Sequence, residues 1–414
     1  MAMRTHTYAR DTDLRQRAKR VVPGGVYGHQ AADRLPEGFP QFFAQGRGCR
    51  VWDVDGNEYI DYLCSYGPIV LGHRHPAVER AAAEQAARGD CFNGPTERWV
   101  ELAELLVEIT PHADWAWFAK NGTDATTFAV TLARAHTGRK TILRAEGAYH
   151  GAAPWCTPVP TGVTPEDTAN QLTYVFNDLE SVRRAADRAG DDLAAVLVSP
   201  FRHDAFHDQE DVDPAFARGL RALCDEAGAV LILDDVRAGF RLSLGGSWEP
   251  LGVPPDVSAY CKAIANGYPI AAAVGREFLR EAASRVYATG SYWFSGVPMA
   301  AAIATITVLR ETDALARMER AGRLLREGLA AQAASHGLRI RQTGPVQVPF
   351  LSFEADRKFE RAFTFTGEAA RRGVYLHPWH NWFLSAAHTE EDIRATLEVT
   401  DAAFRKVREV HGEG

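Results

Sequence analysis

Lysine is scarce in this chain. Six residues, Lys19, Lys120, Lys140, Lys262, Lys358 and Lys406, stand against a combined Lys and Arg count of 46 in 414 residues. Arginine carries nearly all the positive charge, so each lysine asks for a reason. No apolar run approaches the length that spans a bilayer, and the opening residues lack the apolar stretch of a secretory signal. Cys49, Cys64, Cys91, Cys156, Cys224 and Cys261 lie far apart with no CxxC spacing. That argues against a disulfide framework or a zinc site and for reduced, buried thiols in a cytoplasmic protein. Neither sign of charge dominates locally, and the net charge of −7 is spread along the chain. Nucleic acid and membrane are therefore not expected partners. What remains is an ordinary globular balance, 46% hydrophobic and 24% charged, in a chain too long for one compact core.

Thr12 to Val22 has helical spacing and stops at Pro23-Gly24-Gly25. Short strands are predicted at Gln41–Gln45, Arg50–Val54 and Glu58–Leu63, with Asp55-Gly56 as a hairpin turn. From Trp115 to Val274 strand and helix alternate. Ala116–Ala119, Thr141–Arg144, Leu172–Phe176, Ala194–Val198 and Ala229–Leu233 are apolar and bounded by turn residues; Thr123–Thr137, Leu179–Ala189 and Pro214–Ala227 read as helices between them. This pattern predicts an α/β fold, a mainly parallel sheet covered on both faces, with ligands at the carboxyl ends of its strands. After Pro298 an Ala-rich helical stretch runs to Ser335, followed by strands at Leu338–Gln342, Val348–Phe353 and Val374–Leu376, a helix near Phe363–Arg372 and a last helix from Glu390. The expected division is 1–65, an N-terminal helix and hairpin packing with a small domain; 66–300, a large α/β domain; and 301–414, a small α+β domain.

Lys262 follows the apolar run Val257–Cys261. Burial lowers an amine's pKa and makes it a nucleophile toward aldehydes; a strand-end lysine reaching for solvent is the equal alternative on this segment alone. Asp234 and Asp235 end the run Ala229–Leu233. Paired carboxylates there need a cation, either a protonated pyridine nitrogen or Arg237 or Arg241. Asn121-Gly122-Thr123 follows a strand and opens a helix, a place for a phosphate. Tyr149-His150-Gly151 follows another strand, where its rings serve either to stack on a flat ligand or to pack the core. His203, Asp204, His207 and Asp208 have no third strong ligand beside them, so no metal is assigned.

Taken in order, these residues resemble the class III aminotransferases of pyridoxal-phosphate fold type I, and most the glutamate-1-semialdehyde aminomutase branch. Further matching stretches are Val51–Gly56, Leu71–Pro76, Gly94–Glu97, Leu132–Ala135, Glu146–Gly151, Leu231–Arg241 and Ser385–Asp392. The resemblance implies a large domain with a mainly parallel, seven-stranded type of sheet and a smaller α+β domain. It implies pyridoxal 5′-phosphate as cofactor, Lys262 as the Schiff-base lysine and Asp234 as partner of the pyridine nitrogen. Val236 then lies under the ring and Tyr149 over it, His150 adjoins the cofactor, and Asn121, Gly122 and Thr123 hold the phosphate. A homodimer with active sites at the interface is implied too, acting on a small-molecule amino donor and a carbonyl acceptor.

Departures from that branch bear on substrate. Its carboxylate-binding arginine falls at Ala31, and its Glu-Pro strand end is Ser199-Pro200, leaving His203 and Asp204 as candidates to meet the cofactor's 3′-hydroxyl. Its phosphate-binding threonine from the second subunit gives way to Tyr292-Trp293-Phe294-Ser295, with Ser291 or Ser295 as substitute. Tyr27, His29, Trp155, His203, Trp293 and Trp379 are the expected substrate contacts. The missing arginine and the aromatic residues among them point to a cyclic, aromatic or otherwise non-standard substrate in transamination. The alternatives are an isomerase, aminomutase or racemase, and a non-catalytic protein that keeps the fold.

Overall fold

The computed structural model describes residues 6–413, apart from the side chains of His29 and Ala32. The chain divides into two compact units. One takes in the stretch up to His75, Ala205–Asp208 and the stretch from Ala316 onward; the other takes in Pro76–Asp204 and Gln209–Leu315.

The second of these units is built on a seven-stranded sheet. Its spatial order is Trp115–Ala119, Ala271–Gly275, Val257–Tyr260, Val230–Asp234, Leu193–Val198, Thr141–Ala145 and Gln171–Tyr174. Every pairing is parallel except those of Ala271–Gly275, which runs antiparallel to both neighbours. The alternation of strand side chains explains how one run serves two faces. Val196, Val198, Leu231 and Leu233 pack with Val182 and with Phe216, Leu220 and Cys224. Ala195, Leu197, Val230 and Ile232 turn the other way onto Phe128, Leu132 and Ala133. Helices Leu179–Ala189 and Pro214–Ala227 therefore cover one face and Gly122–Thr137 the other. Each large apolar side chain so buried contributes about 1.5–3 kcal/mol.

Local chemistry sets the helix ends. Pro214–Ala227 begins where the Asp213 carboxylate accepts from Ala215 N at 2.7 Å, with Pro214 in the first turn, and stops at Gly228 with φ 61°. Ala271–Gly275 is not evident in the sequence because three of its five residues are alanine and only Val274 is of the β-branched kind that marks strands. Ala271 joins Ala119, Ala125 and Ala259 in a small-residue patch, while Ala273 packs with Phe128 and Val257.

The other unit carries a sheet in which Phe43–Arg47, Arg50–Asp53 and Glu58–Asp61 form an antiparallel meander and Val374–Tyr375 adds a parallel edge. The turn at Asp55-Gly56 is held by the Asp53 carboxylate, which accepts from Asp55 N at 3.0 Å and Asn57 N at 2.9 Å. Ile340–Thr343 pairs with Phe350–Phe353, and the helix Glu390–His411 starts with a Thr389–Asp392 capping box. Cys49, Cys64, Cys156 and Cys224 are buried and Cys261 partly so, whereas Cys91 is exposed. Among the described residues no helix is long and apolar enough to cross a membrane.

Candidate active site

Strand ends of the seven-stranded sheet surround a cavity of about 230 Å³. Asn121, Gly122 and Thr123 come from the segment after Trp115–Ala119, and Cys261 and Lys262 from the segment after Val257–Tyr260. Asp234 ends the central strand and Val236 and Arg237 follow it, His203 follows Leu193–Val198, and Tyr149, His150 and Gly151 follow Thr141–Ala145. Nine residues singled out from the sequence thus meet around one space.

Lys262 opens a short 3₁₀ turn with φ 41°, a left-handed backbone that non-glycine residues seldom adopt. Burial first, then the nearby Arg237 guanidinium, brings its amine down to about 8. Asp234 is fixed from two sides: His150 Nδ1 lies 2.6 Å from Oδ2, and Val236 N donates to Oδ1 at 3.2 Å. A carboxylate only accepts, so the shared proton sits on Nδ1. The loop bearing His150 is itself tied down, since Thr126 Oγ1 donates to the His150 carbonyl at 2.8 Å. His150 Nε2 is buried with no hydrogen-bond partner among the described residues. Asp235 turns away from this cavity and accepts from Ser247 N at 2.8 Å and Ser247 Oγ at 2.6 Å.

His203 is buried and held well below the ordinary histidine range, chiefly by burial and then by Arg237, so it is neutral. Arg237 itself is brought down to about 10 by burial, against the pull of Asp234.

The helix Gly122–Thr137 points its N-terminus at this cavity. Asn121 caps it, its side chain accepting from Asp124 N at 3.0 Å. The first backbone N–H groups of a helix have no partner within it and favour an anion. Two glycines keep the approach narrow. A Cβ on Gly122 would lie 2.8 Å from Val236 Cγ1, and one on Gly151, where φ is 131°, would lie 2.5 Å from Thr123 Oγ1. Thr123 Oγ1 accepts from Ala152 N at 3.1 Å, which leaves its own proton to donate.

The remaining expected residues do not line this cavity. Ser295 is buried and donates its hydroxyl to Asp90 Oδ1 at 2.6 Å. Trp155 packs on the apolar core and donates Nε1 to Thr127 Oγ1 at 3.0 Å, and Trp293 meets Trp117 edge-on at 5.1 Å. Trp379 is stacked on Phe206 at 4.6 Å within the other unit, where Tyr27 is exposed. The His29 side chain lies outside the described residues. Arg237, Cys261 and Gly151 are lining residues that the sequence reading did not assign to the site. Each is the immediate neighbour of one it did, which is the signal that would have found them.

The donor set fits pyridoxal phosphate. A half-buried amine lines the space for its aldehyde, a fixed carboxylate for its ring nitrogen, a glycine-kept helix N-terminus for its phosphate, and Val236 and Tyr149 for its ring faces.

Comparison with known proteins agrees. The family described as Aminotransferase class-III matches residues 33–404. An aminopentol aminotransferase of Sphingopyxis macrogoltabida is 51% identical over 398 residues, covering 96% of this chain and 94% of that protein. Glutamate-1-semialdehyde 2,1-aminomutase 2 of Brevibacillus brevis is 36% identical over 425 residues, covering 96% and 98%. The solved structure of the FumI protein from Sphingopyxis sp. MTA144, with its PLP, matches with a TM-score of 0.96 at 50% identity over 97% of each chain.

Proposed function

The chain belongs to the class III aminotransferases and uses pyridoxal phosphate, and from that premise we propose that it moves the amino group of a non-standard amine, an amino polyol, to a carbonyl acceptor, working as a homodimer in the cytoplasm. The observation that carries this reading is the half-buried Lys262 amine sharing one cavity with the Asp234–His150 pair.

Bound there, the cofactor supplies an aldehyde that takes up an amino group and a pyridine ring that draws electrons from the adjacent carbon. Lys262, its amine brought down to about 8, accepts a proton from the amine-bearing carbon of the substrate and delivers it where the amino group has gone. Asp234 holds negative charge opposite the ring nitrogen, and the His150 N–H keeps that carboxylate from turning. Gly122 and Thr123 bind the phosphate through backbone N–H groups and a hydroxyl. Val236 packs against the Gly122 side and shuts out water there.

The substrate class draws on the relative named for an aminopentol, an amine on a polyhydroxylated chain, at 51% identity. Ala31, standing where aminomutases place a carboxylate-binding arginine, argues against glutamate semialdehyde. Trp155 and Trp293 are engaged in packing, so less of the wall is left for a ring-bearing substrate.

Borohydride reduction of the holoprotein should label Lys262. A panel of amino polyols, aromatic amines and glutamate 1-semialdehyde, each followed by loss of the cofactor's aldehyde absorbance, should rank the polyols first. Label on any other lysine overturns the site. Full turnover of glutamate semialdehyde with no added acceptor makes the enzyme an isomerase. Sedimentation equilibrium tests the dimer.

A further inference from the structure

Pyridoxal phosphate has four polar handles: a ring nitrogen, an aldehyde, a phosphate and a ring hydroxyl. In the proposed function, on which the assignment of the fourth handle rests, Asp234, Lys262 and the Asn121–Thr123 turn answer the first three. The hydroxyl has no partner yet. On the ring, the nitrogen and the aldehyde-bearing carbon lie opposite each other, with the phosphate arm on one side of that axis and the hydroxyl on the other. Sheet order then fixes the sides. The strand leading to Asn121 is at one edge, the strands leading to Lys262 and Asp234 are third and fourth, and Leu193–Val198 is fifth. With the phosphate toward the first strand, the hydroxyl faces the fifth.

Three side chains gather there. His203 lines the cavity, is 6% exposed, and its Nδ1 has no hydrogen-bond partner among the described residues. Asp204 is engaged by Arg202 Nε at 2.8 Å and presses on Gly147, where a Cβ would lie 2.9 Å from its Oδ2. Arg237 lines the cavity, is 9% exposed, and lies within electrostatic reach of Asp204, Tyr149 and Asp234. An anionic acceptor suits a guanidinium better than a neutral imidazole or a second carboxylate. We propose that Arg237 binds the ring hydroxyl of the cofactor and holds it as an oxyanion, its proton released to solvent, with His203 beside it.

The groups that bear on such an oxyanion come from four segments. Lys262 and Cys261 follow Val257–Tyr260, and Asp234 and Arg241 share the segment of Arg237 itself. His203 and Asp204 follow the fifth strand, and Tyr149 and His150 follow Thr141–Ala145. Burial keeps His203 neutral and pushes Tyr149 and Cys261 up, while Arg237, at about 10, stays charged through the neutral range. A cation beside the oxygen favours its deprotonated form, so removing that cation must raise the pH at which the bound cofactor's absorbance changes.

The test is a pH titration of the visible band in purified holoprotein, with cofactor retention on dialysis as a second readout. Arg237→Met should move the midpoint up by about one unit or more, or bring one into range, and weaken retention roughly tenfold. Arg237→Lys, which keeps the charge should the larger change fail to fold, should stay within about half a unit of the parent. An unmoved midpoint in Arg237→Met with Lys262 still labelled by borohydride overturns the assignment. So does an Arg237→Lys shift of a full unit, or a shift in His203→Gln with none in Arg237→Met. Absence of label at Lys262 in the parent protein would instead sink the reading of the cavity itself.

Discussion

Two cavities of the same size, about 230 Å³ each, open on the seven-stranded unit. One is the site described above. The other is lined by Pro111, His112, Leu233, Gly245, Gly246, Trp248, Glu249 and the run Gly252–Pro255. Leu233 and Asp234 are neighbours on one strand, yet alternation sends the leucine to one cavity and the aspartate to the other. Volume is shared; chemistry is not. In the second cavity the polar groups are answered: His112 Nε2 meets Ser258 Oγ at 2.9 Å, and Glu249 accepts from Gly245 N at 3.2 Å. In the first, His150 Nε2 and His203 Nδ1 are buried without partners among the described residues, beside an amine and a guanidinium whose pKa values burial has lowered. Groups left wanting a partner, rather than empty space, mark the functional cavity.

The sharpest break of that comparison is a pair of truncations. Lys262→Ala should cut transamination by at least about a thousandfold, measured as conversion of a fixed donor, while leaving the fold in place. Trp248→Ala, in the wall of the other cavity, should leave Lys262 open to borohydride labelling but cost about 3–5 kcal/mol in urea unfolding. The next contrast is between adjacent carboxylates. Asp234→Asn should lower the rate about a hundredfold or more, whereas Asp235→Asn should stay near the parent rate and change stability instead. Burial raises Asp235 from 3.8 to about 7 in the folded chain. Its contribution is therefore full below 3.8 and drains as pH climbs toward 7, so Asp235→Asn should gain on the parent across that window in pH-dependent unfolding. The smallest effect belongs to His112, which burial lowers from 6.5 to about 4. Here the sign reverses: stability is present above 6.5 and lost as pH falls toward 4, and His112→Gln should flatten that acid limb.

Lys262, Asp234 and the Asn121–Thr123 turn were legible because each stands at or just beyond the end of an apolar run, where a polar residue breaks the pattern. The alternating pattern revealed the parallel strands and their covering helices for the same reason: periodicity survives in one dimension. Ala271–Gly275 was not legible, since alanine favours neither strand nor pleat and an antiparallel insertion leaves no mark on its own residues. Arg237 reads in the sequence only as a partner for a carboxylate, because nothing in one dimension tells a cation facing a cavity from one facing an acid. Trp155 and Trp293 pose the opposite problem. An aromatic residue near a strand end looks alike whether it borders a ligand or fills the core, and only packing against Phe128 and its neighbours or against Trp117 distinguishes the two.

The left-handed backbone at Lys262 has a thermal consequence. The folded chain tolerates both a twisted main chain and a desolvated amine at one residue, and neither helps it fold. Glycine there would relieve both at once, so the catalytically dead Lys262→Gly apoprotein should melt higher than the parent protein stripped of cofactor, a direct measure of how much robustness this enzyme forgoes for its reactivity.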